Sequence, residues 1–104
     1  MKVDYDSEAD AILIEIEEVD HWDRGVLIDD ADYCDVAFRG GRPVAVSLRH
    51  PQEELGLLDK AAERFDLDAD ALRAVTRAAL TLPDREITLE IGTQRAVGRA
   101  PRAA

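Results

Sequence analysis

Four aspartates, Asp29, Asp30, Asp32 and Asp35, crowd into one short stretch. Carboxylates so spaced supply hard oxygen donors of the kind Ca²⁺ and Mg²⁺ accept. Read as a calcium loop, Asp30-Ala31-Asp32-Tyr33-Cys34 lacks the third acid and the glycine, and Gly41 stands where the bidentate glutamate belongs. No His/Cys cluster has zinc spacing, and no glycine-rich loop leads into a helix to cradle phosphate. The sequence therefore predicts no metal and no cofactor, and it marks Asp29, Asp30, Asp32 and Asp35 as partner-binding residues.

Nucleophilic catalysis needs a nucleophile, a base and an orienting group together. The available parts are Ser7, Ser47, Cys34, His21 and His50. Ser7 lies in an expected turn, where capping is the usual work of a hydroxyl. Ser47 falls on the outward face of an expected strand. Cys34 sits between Asp32 and Asp35, and negative neighbours raise a thiol pKa instead of activating it. His50 precedes Pro51 at a strand exit and reads as a surface or hinge residue. The chain is expected not to be an enzyme.

Charge narrows the partners. The 104 residues carry 13 Lys+Arg against 23 Asp+Glu, a formal net charge of -10. Residues 1–35 hold 13 of the acids and only two bases, Lys2 and Arg24, so nearly all the net charge lies in the first third. Direct nucleic-acid binding is disfavoured, because phosphate contacts need surplus cations. A basic surface would be attracted within about 8–10 Å in ordinary salt. The longest early apolar run, Ala11-Ile12-Leu13-Ile14, is far shorter than the ~20 residues of a membrane helix. With one cysteine and no apolar leader, a cytoplasmic address is the expectation.

The elements that must position these residues follow from periodicity. Val3 and Tyr5 alternate with polar neighbours, and Asp6 to Asp10 offers turn chemistry. Ile12, Ile14 and Ile16 share one face of a second strand, as β-branched chains favour. Val26 with Ile28, and Val36 with Phe38, mark a third and a fourth. Gly40-Gly41 is a hairpin signal, since a type I′ turn needs positive φ at both positions. Val44, Val46 and Leu48 give a fifth strand, where Pro43 suggests an outward-facing or edge position. Leu55, Leu58, Ala62 and Phe65 then form a helical stripe. Asp68 caps a second helix striped by Leu72, Val75 and Ala79. Ile87, Leu89 and Ile91 alternate as a sixth strand.

The predicted fold is α+β: an antiparallel sheet of five to six short strands with two helices packed on one face. A single domain is expected over residues 1–92, with a β-meander over 1–50, a helical pair over 51–82 and a returning strand over 85–92. Residues 93–104 read as a flexible tail. The helix pair, with Arg64, Arg73 and Arg77 mixed among acids, reads as core packing and not as a DNA-reading helix-turn-helix.

Tyr5-Asp6-Ser7-Glu8-Ala9-Asp10-Ala11-Ile12-Leu13-Ile14, followed by Gly25-Val26-Leu27-Ile28-Asp29 and the hairpin Val36 to Leu48, resembles a bacterial family of uncharacterised small proteins, domain of unknown function twenty-two eighty-three. The likeness covers about residues 3–50; the acidic stretch Asp30–Asp35 and residues 52–92 depart from it. It implies a compact antiparallel β module and, through the company some relatives keep with ribonuclease-like toxins, an antitoxin-like role. Three functions are weighed. The first is an interaction module docking a basic protein partner. The second is a self-associating domain, a homodimer being plausible, and the third a minimal carboxylate enzyme. The last needs a concave pocket holding a carboxylate of raised pKa.

Overall fold

Ile12 and Ile14 alternate with Leu13 and Glu15, and that alternation places them at the centre of a sheet. The computed structural model describes residues 1–89. Its elements run β1 (Lys2–Asp6), β2 (Ala11–Glu15), β3 (Arg24–Leu27), β4 (Cys34–Arg39), β5 (Arg42–Arg49), α1 (Gly56–Phe65), α2 (Ala69–Thr81) and β6 (Glu86–Thr88). The six strands form one sheet in the order β3-β4-β5-β2-β1-β6, and every neighbouring pair is antiparallel. One row crosses the whole sheet: Val26, Val36, Val46, Ile14, Val3 and Ile87 stand in register. The fold is α+β, as the periodicities predict.

Both helices cover the face that carries this row, α1 over β4 and β5, α2 over β1 and β2. Leu57, Leu58, Ala61, Ala62, Leu72, Val75 and Ala79 meet Val3, Ile12, Ile14, Val36, Phe38, Val46 and Leu48 in one apolar cluster. The expected N-cap holds: Asp68 accepts the Ala71 amide at 3.0 Å. Two of the three arginines of the pair are engaged within the fold, Arg73 with Asp59 and Asp70, and Arg64 with the Leu27 carbonyl, while Arg77 is exposed. Thr76, buried in this cluster's shell, satisfies its hydroxyl on the Leu72 carbonyl at 2.8 Å.

The strand order corrects the expected meander over residues 1–50. β3, β4 and β5 do follow one another, but β5 then pairs β2, not a strand at the sheet's edge. Burial explains the exchange. β5 carries Val44, Ala45, Val46 and Leu48 fully buried, so it takes an interior place. β3, whose Arg24, Gly25 and Leu27 are exposed, takes an edge. The connection from Ile16 to Asp23 carries the chain outward past the β4–β5 hairpin, and Ile16, expected inside β2, bonds its amide to the Val44 carbonyl at 2.8 Å beyond that strand's end.

Pro43 is likewise on a central strand, against the expectation of an edge. It fits because β5 has there run past its ladder with β2, which ends at the Glu15–Ala45 pair. On the other side a bulge at Ala37/Phe38 relaxes the ladder. Gly40 and Gly41, at φ 61° and 82°, make the turn between β4 and β5 as their types require. β6 is confined to Glu86–Thr88 and pairs β1 of the same chain. Leu89 extends it, exchanging backbone bonds with Met1; Ile91 and the expected tail lie outside the described residues. Among those residues no helix is long and apolar enough to cross a membrane.

Candidate functional site

Asp29, Asp30 and Asp32 lie in the β3–β4 connection and Asp35 is the second residue of β4, and the structure gives them three different tasks. Asp29 accepts the amides of Ala31, Tyr33 and Cys34 at 2.9–3.2 Å, so its carboxylate organises the turn. Burial pushes this carboxyl up, but the Cys34, Tyr33 and Ala31 amides outweigh that and hold it below the ordinary range. Asp35 points to the sheet face away from the helices, beside Ser47, its register partner. Burial first, then the charge of Asp32, raises its carboxyl above the ordinary range. Asp30 and Asp32 are exposed, Asp32 at φ 64° on the crest of the turn. Of the four, these two alone are exposed, and neither side chain makes a hydrogen bond or ion pair among the described residues.

Cys34 is buried at the start of β4, and its thiol is pushed up to about 12 by burial, then by Asp35 and Asp29. The acid on its N-terminal side that matters is Asp29, folded back by the turn, and not Asp32. Ser7 lies in the β1–β2 turn as expected but does not cap it: its amide and hydroxyl both bond Asp84, and Asp6 accepts the turn's Glu8 and Ala9 amides. A 240 Å³ hollow lies between β1, β2 and β6, lined by Met1, Lys2, Glu15, Ile16, Glu18 and Thr88, with Lys2 paired to Glu18 across it. Asp35, the carboxyl held above its ordinary range, does not line it.

Sequence reasoning missed the edge beside the acidic turn. No described strand covers the outer side of β3. The Ile28 amide bonds the Cys34 carbonyl at 2.8 Å, so Val26 and Ile28 direct their backbone groups to β4. Alternation then turns the amides and carbonyls of Gly25 and Leu27 outward. Arg64 reaches the Leu27 carbonyl at 3.3 Å from α1. Three large apolar side chains stay substantially exposed: Trp22 at 46%, Leu27 at 54% and Leu82 at 42%. Two of the three bracket this four-residue edge.

No family model matches the chain, and neither does any curated protein or solved structure. The site must therefore be read from its own chemistry. Between Asp20 and Asp35 stand Asp20, Asp23, Asp29, Asp30, Asp32 and Asp35 against one base, Arg24. Arg39 offsets part of this, bonding Asp20 at 3.0 Å, while Asp23 accepts the Gly40 amide at 2.6 Å and ties the connection to the hairpin. The guanidinium carbon of Arg24 sits over Phe38, 4.3 Å from its ring centre. The result is a short backbone edge with an aromatic and an aliphatic side chain at its ends and a carboxylate rim.

A second constellation lies at the same end of the sheet as the acidic turn, where β5 leaves its ladder with β4 and the Arg49 amide donates to the Tyr33 carbonyl at 2.7 Å. Asp10, His50 and Glu53 bring one donor atom each to within 4.8 Å of one another. His50 Nδ1 stands 2.9 Å from Asp10 Oδ2, and the Tyr5 hydroxyl donates to Asp10 Oδ1 at 2.7 Å. The Tyr5 hydrogen bond, then that of His50, holds the Asp10 carboxyl below its usual range, and the same bond raises the Tyr5 phenol. His50, expected as a hinge or surface residue, is thus tied to a carboxylate 40 positions away in sequence. No spacing signal could have joined them, because only the β2–β5 register brings them together.

Proposed function

We propose that this chain is a protein–protein interaction module that takes a basic, extended segment of a partner along the outer edge of β3. The observation that supports it most is the coincidence on one edge of the outward Gly25 amide and carbonyl and Leu27 amide (the Leu27 carbonyl already accepts from Arg64), the exposed Trp22 and Leu27 side chains, and the acidic turn carrying Asp30 and Asp32. Strand addition draws affinity from main-chain bonds and specificity from alternate side chains. Exposed aromatic and aliphatic groups supply anchors, and the acids choose the partner's sign and speed its approach. An antitoxin-like accessory, which the likeness of residues 3–50 implies, is the form of this reading in which the partner is a basic nuclease.

The test uses an extended peptide alternating valine with lysine, titrated into the full chain while backbone amides are followed by NMR. Binding should move the Gly25 and Leu27 amides most and weaken steeply as salt rises. Leu27→Asp and Trp22→Ala should each lower affinity about tenfold or more. Binding that ignores salt, or amide shifts confined to other strands, would refute this assignment. Self-association is the second reading, since a second β3 edge could take the same place; a concentration-dependent dimer abolished by Leu27→Asp would favour it.

A further inference from the structure

The β2–β5 ladder ends at the Ala11–Arg49 pair, and the next residues on each strand are Asp10 and His50. Their backbones stay joined, the His50 amide donating to the Asp10 carbonyl at 2.8 Å. Both curl into the left-handed region, each at φ 53°, and their side chains meet over the end of the sheet. Pro51, fully buried, then anchors a turn in which the Glu53 amide bonds the His50 carbonyl at 3.1 Å. That turn carries the Glu53 carboxylate back towards the other two.

The geometry points to a divalent transition-metal site of the zinc class, formed by Asp10 Oδ2, His50 Nδ1 and a Glu53 carboxylate oxygen. Donors around such an ion lie about 2.0–2.2 Å from it, which sets them roughly 3.3–3.6 Å from one another. Asp10 and His50, at 2.9 Å, need to part slightly, and the exposed Glu53 chain needs only a change of rotamer to close from within 4.8 Å. An imidazole with two carboxylates suits zinc and its neighbours, whereas calcium and magnesium take sets made almost wholly of oxygen. Two negative charges would balance the ion.

Outer contacts already stand where a metal site needs them. Tyr5 occupies Asp10 Oδ1 and leaves Oδ2 for the ion, as hydrogen-bonded ligand carboxylates commonly are. The Tyr33 ring meets the His50 ring edge-on, with centres 5.2 Å apart, and limits how the imidazole can turn. Asp10 and His50 remain 40% and 47% exposed, so an ion can enter from solvent and keep water in its remaining position. A plain Asp10–His50 ion pair would use neither Glu53 nor the Tyr5 contact in this way, and that difference makes the assignment testable.

Zinc chloride alone, titrated into the full chain against a chromophoric chelator, should bind one equivalent. Cys34, buried and protonated, offers no competing thiolate. Glu53→Gln and His50→Asn should each weaken binding about tenfold or more, and Tyr5→Phe should weaken it as well. Asn keeps the left-handed preference at position 50, and the Glu53 side chain makes no hydrogen bond among the described residues, so that variant folds as the parent does. His21→Ala is the control, because His21 also has two acids near it, Asp20 at 3.4 Å and Asp23 at 3.7 Å. Absence of zinc binding, affinity unchanged in Glu53→Gln, or loss of the site in His21→Ala would each overturn the proposal.

Discussion

Ser7 and Asp84, 77 positions apart, are joined twice: the Ser7 amide donates to Asp84 Oδ1 at 2.8 Å and its hydroxyl to Oδ2 at 2.6 Å. The Asp84 amide in turn donates to the Tyr5 carbonyl at 2.7 Å. This clasp fastens the β1–β2 turn to the segment that leads from α2 into β6. It decides where the sixth strand enters the sheet. Without it, a strand of three residues would have little to hold its register.

The clasp carries a pH signature. Hydrogen bonds from the Ser7 side chain and amide hold the Asp84 carboxyl below its ordinary range. A carboxyl depressed in the folded state stabilises above its unfolded pKa, and that contribution is lost as pH falls through the folded pKa. Wild type should therefore exceed Asp84→Asn in stability at neutral pH, and the difference should shrink to nothing in acid below the ordinary carboxylate range. Denaturant titrations of both proteins across that range measure it. A difference independent of pH would mean that geometry, and not charge, is what Asp84 supplies.

Ile14 tests the register of the central row. It is wholly buried between Val3 and Val46 and beneath the helices. Ile14→Ala should cost ~2–5 kcal/mol, the range for a large buried aliphatic cut to alanine. Glu15→Ala, one residue on and on the opposite face, should stay within about ±0.5 kcal/mol. Equal effects in a urea titration would show the strand shifted by one residue, since that slip exchanges the two faces.

Those faces were legible because period-two alternation reports which side chains are buried together. The order of the strands was not, since alternation does not name a partner. The Val44-Ala45-Val46 run, apolar on both faces, was the local hint that β5 lies inside the sheet, and exposed Gly25 was the hint that β3 does not. The role of Asp29 was half visible: an aspartate before a turn commonly bonds amides further on, and it does so with three of them. Asp10 and His50 carried no such mark. Their meeting depends on the return of β5 to β2, which only the assembled sheet discloses.

Asp66 closes α1 in the left-handed region, at φ 57°, with its amide on the Ala62 carbonyl. Glycine is the residue this cap prefers, and a carboxylate at a helix C-terminus faces the negative end of the dipole. Asp66→Gly should therefore stabilise the protein by about 1 kcal/mol. Asp66→Ala removes the charge but keeps a Cβ in a region that alanine tolerates poorly, so it should give no gain. Thermal and urea unfolding of the two variants separate the effects; equal gains would assign the strain to charge alone.

Asp35 tests whether the acidic region is built for partners at the expense of the fold. Burial, then the nearby charge of Asp32, raises its carboxyl, with Ser47 opposing. An acid raised in the folded state is neutral in both states at low pH, and its penalty opens as pH climbs through the unfolded pKa towards the folded one. Asp35→Asn should thus leave the melting temperature unchanged in acid below the ordinary carboxylate range and raise it at neutral pH. Asp30→Asn and Asp32→Asn, exposed and without such burial, should change stability little and instead slow association with a basic peptide at low salt. If Asp35→Asn shifted the melting temperature equally at both pH values, the half-buried carboxylate would not be ionised at the fold's cost. The separation between Asp35 and the two exposed acids would then fail.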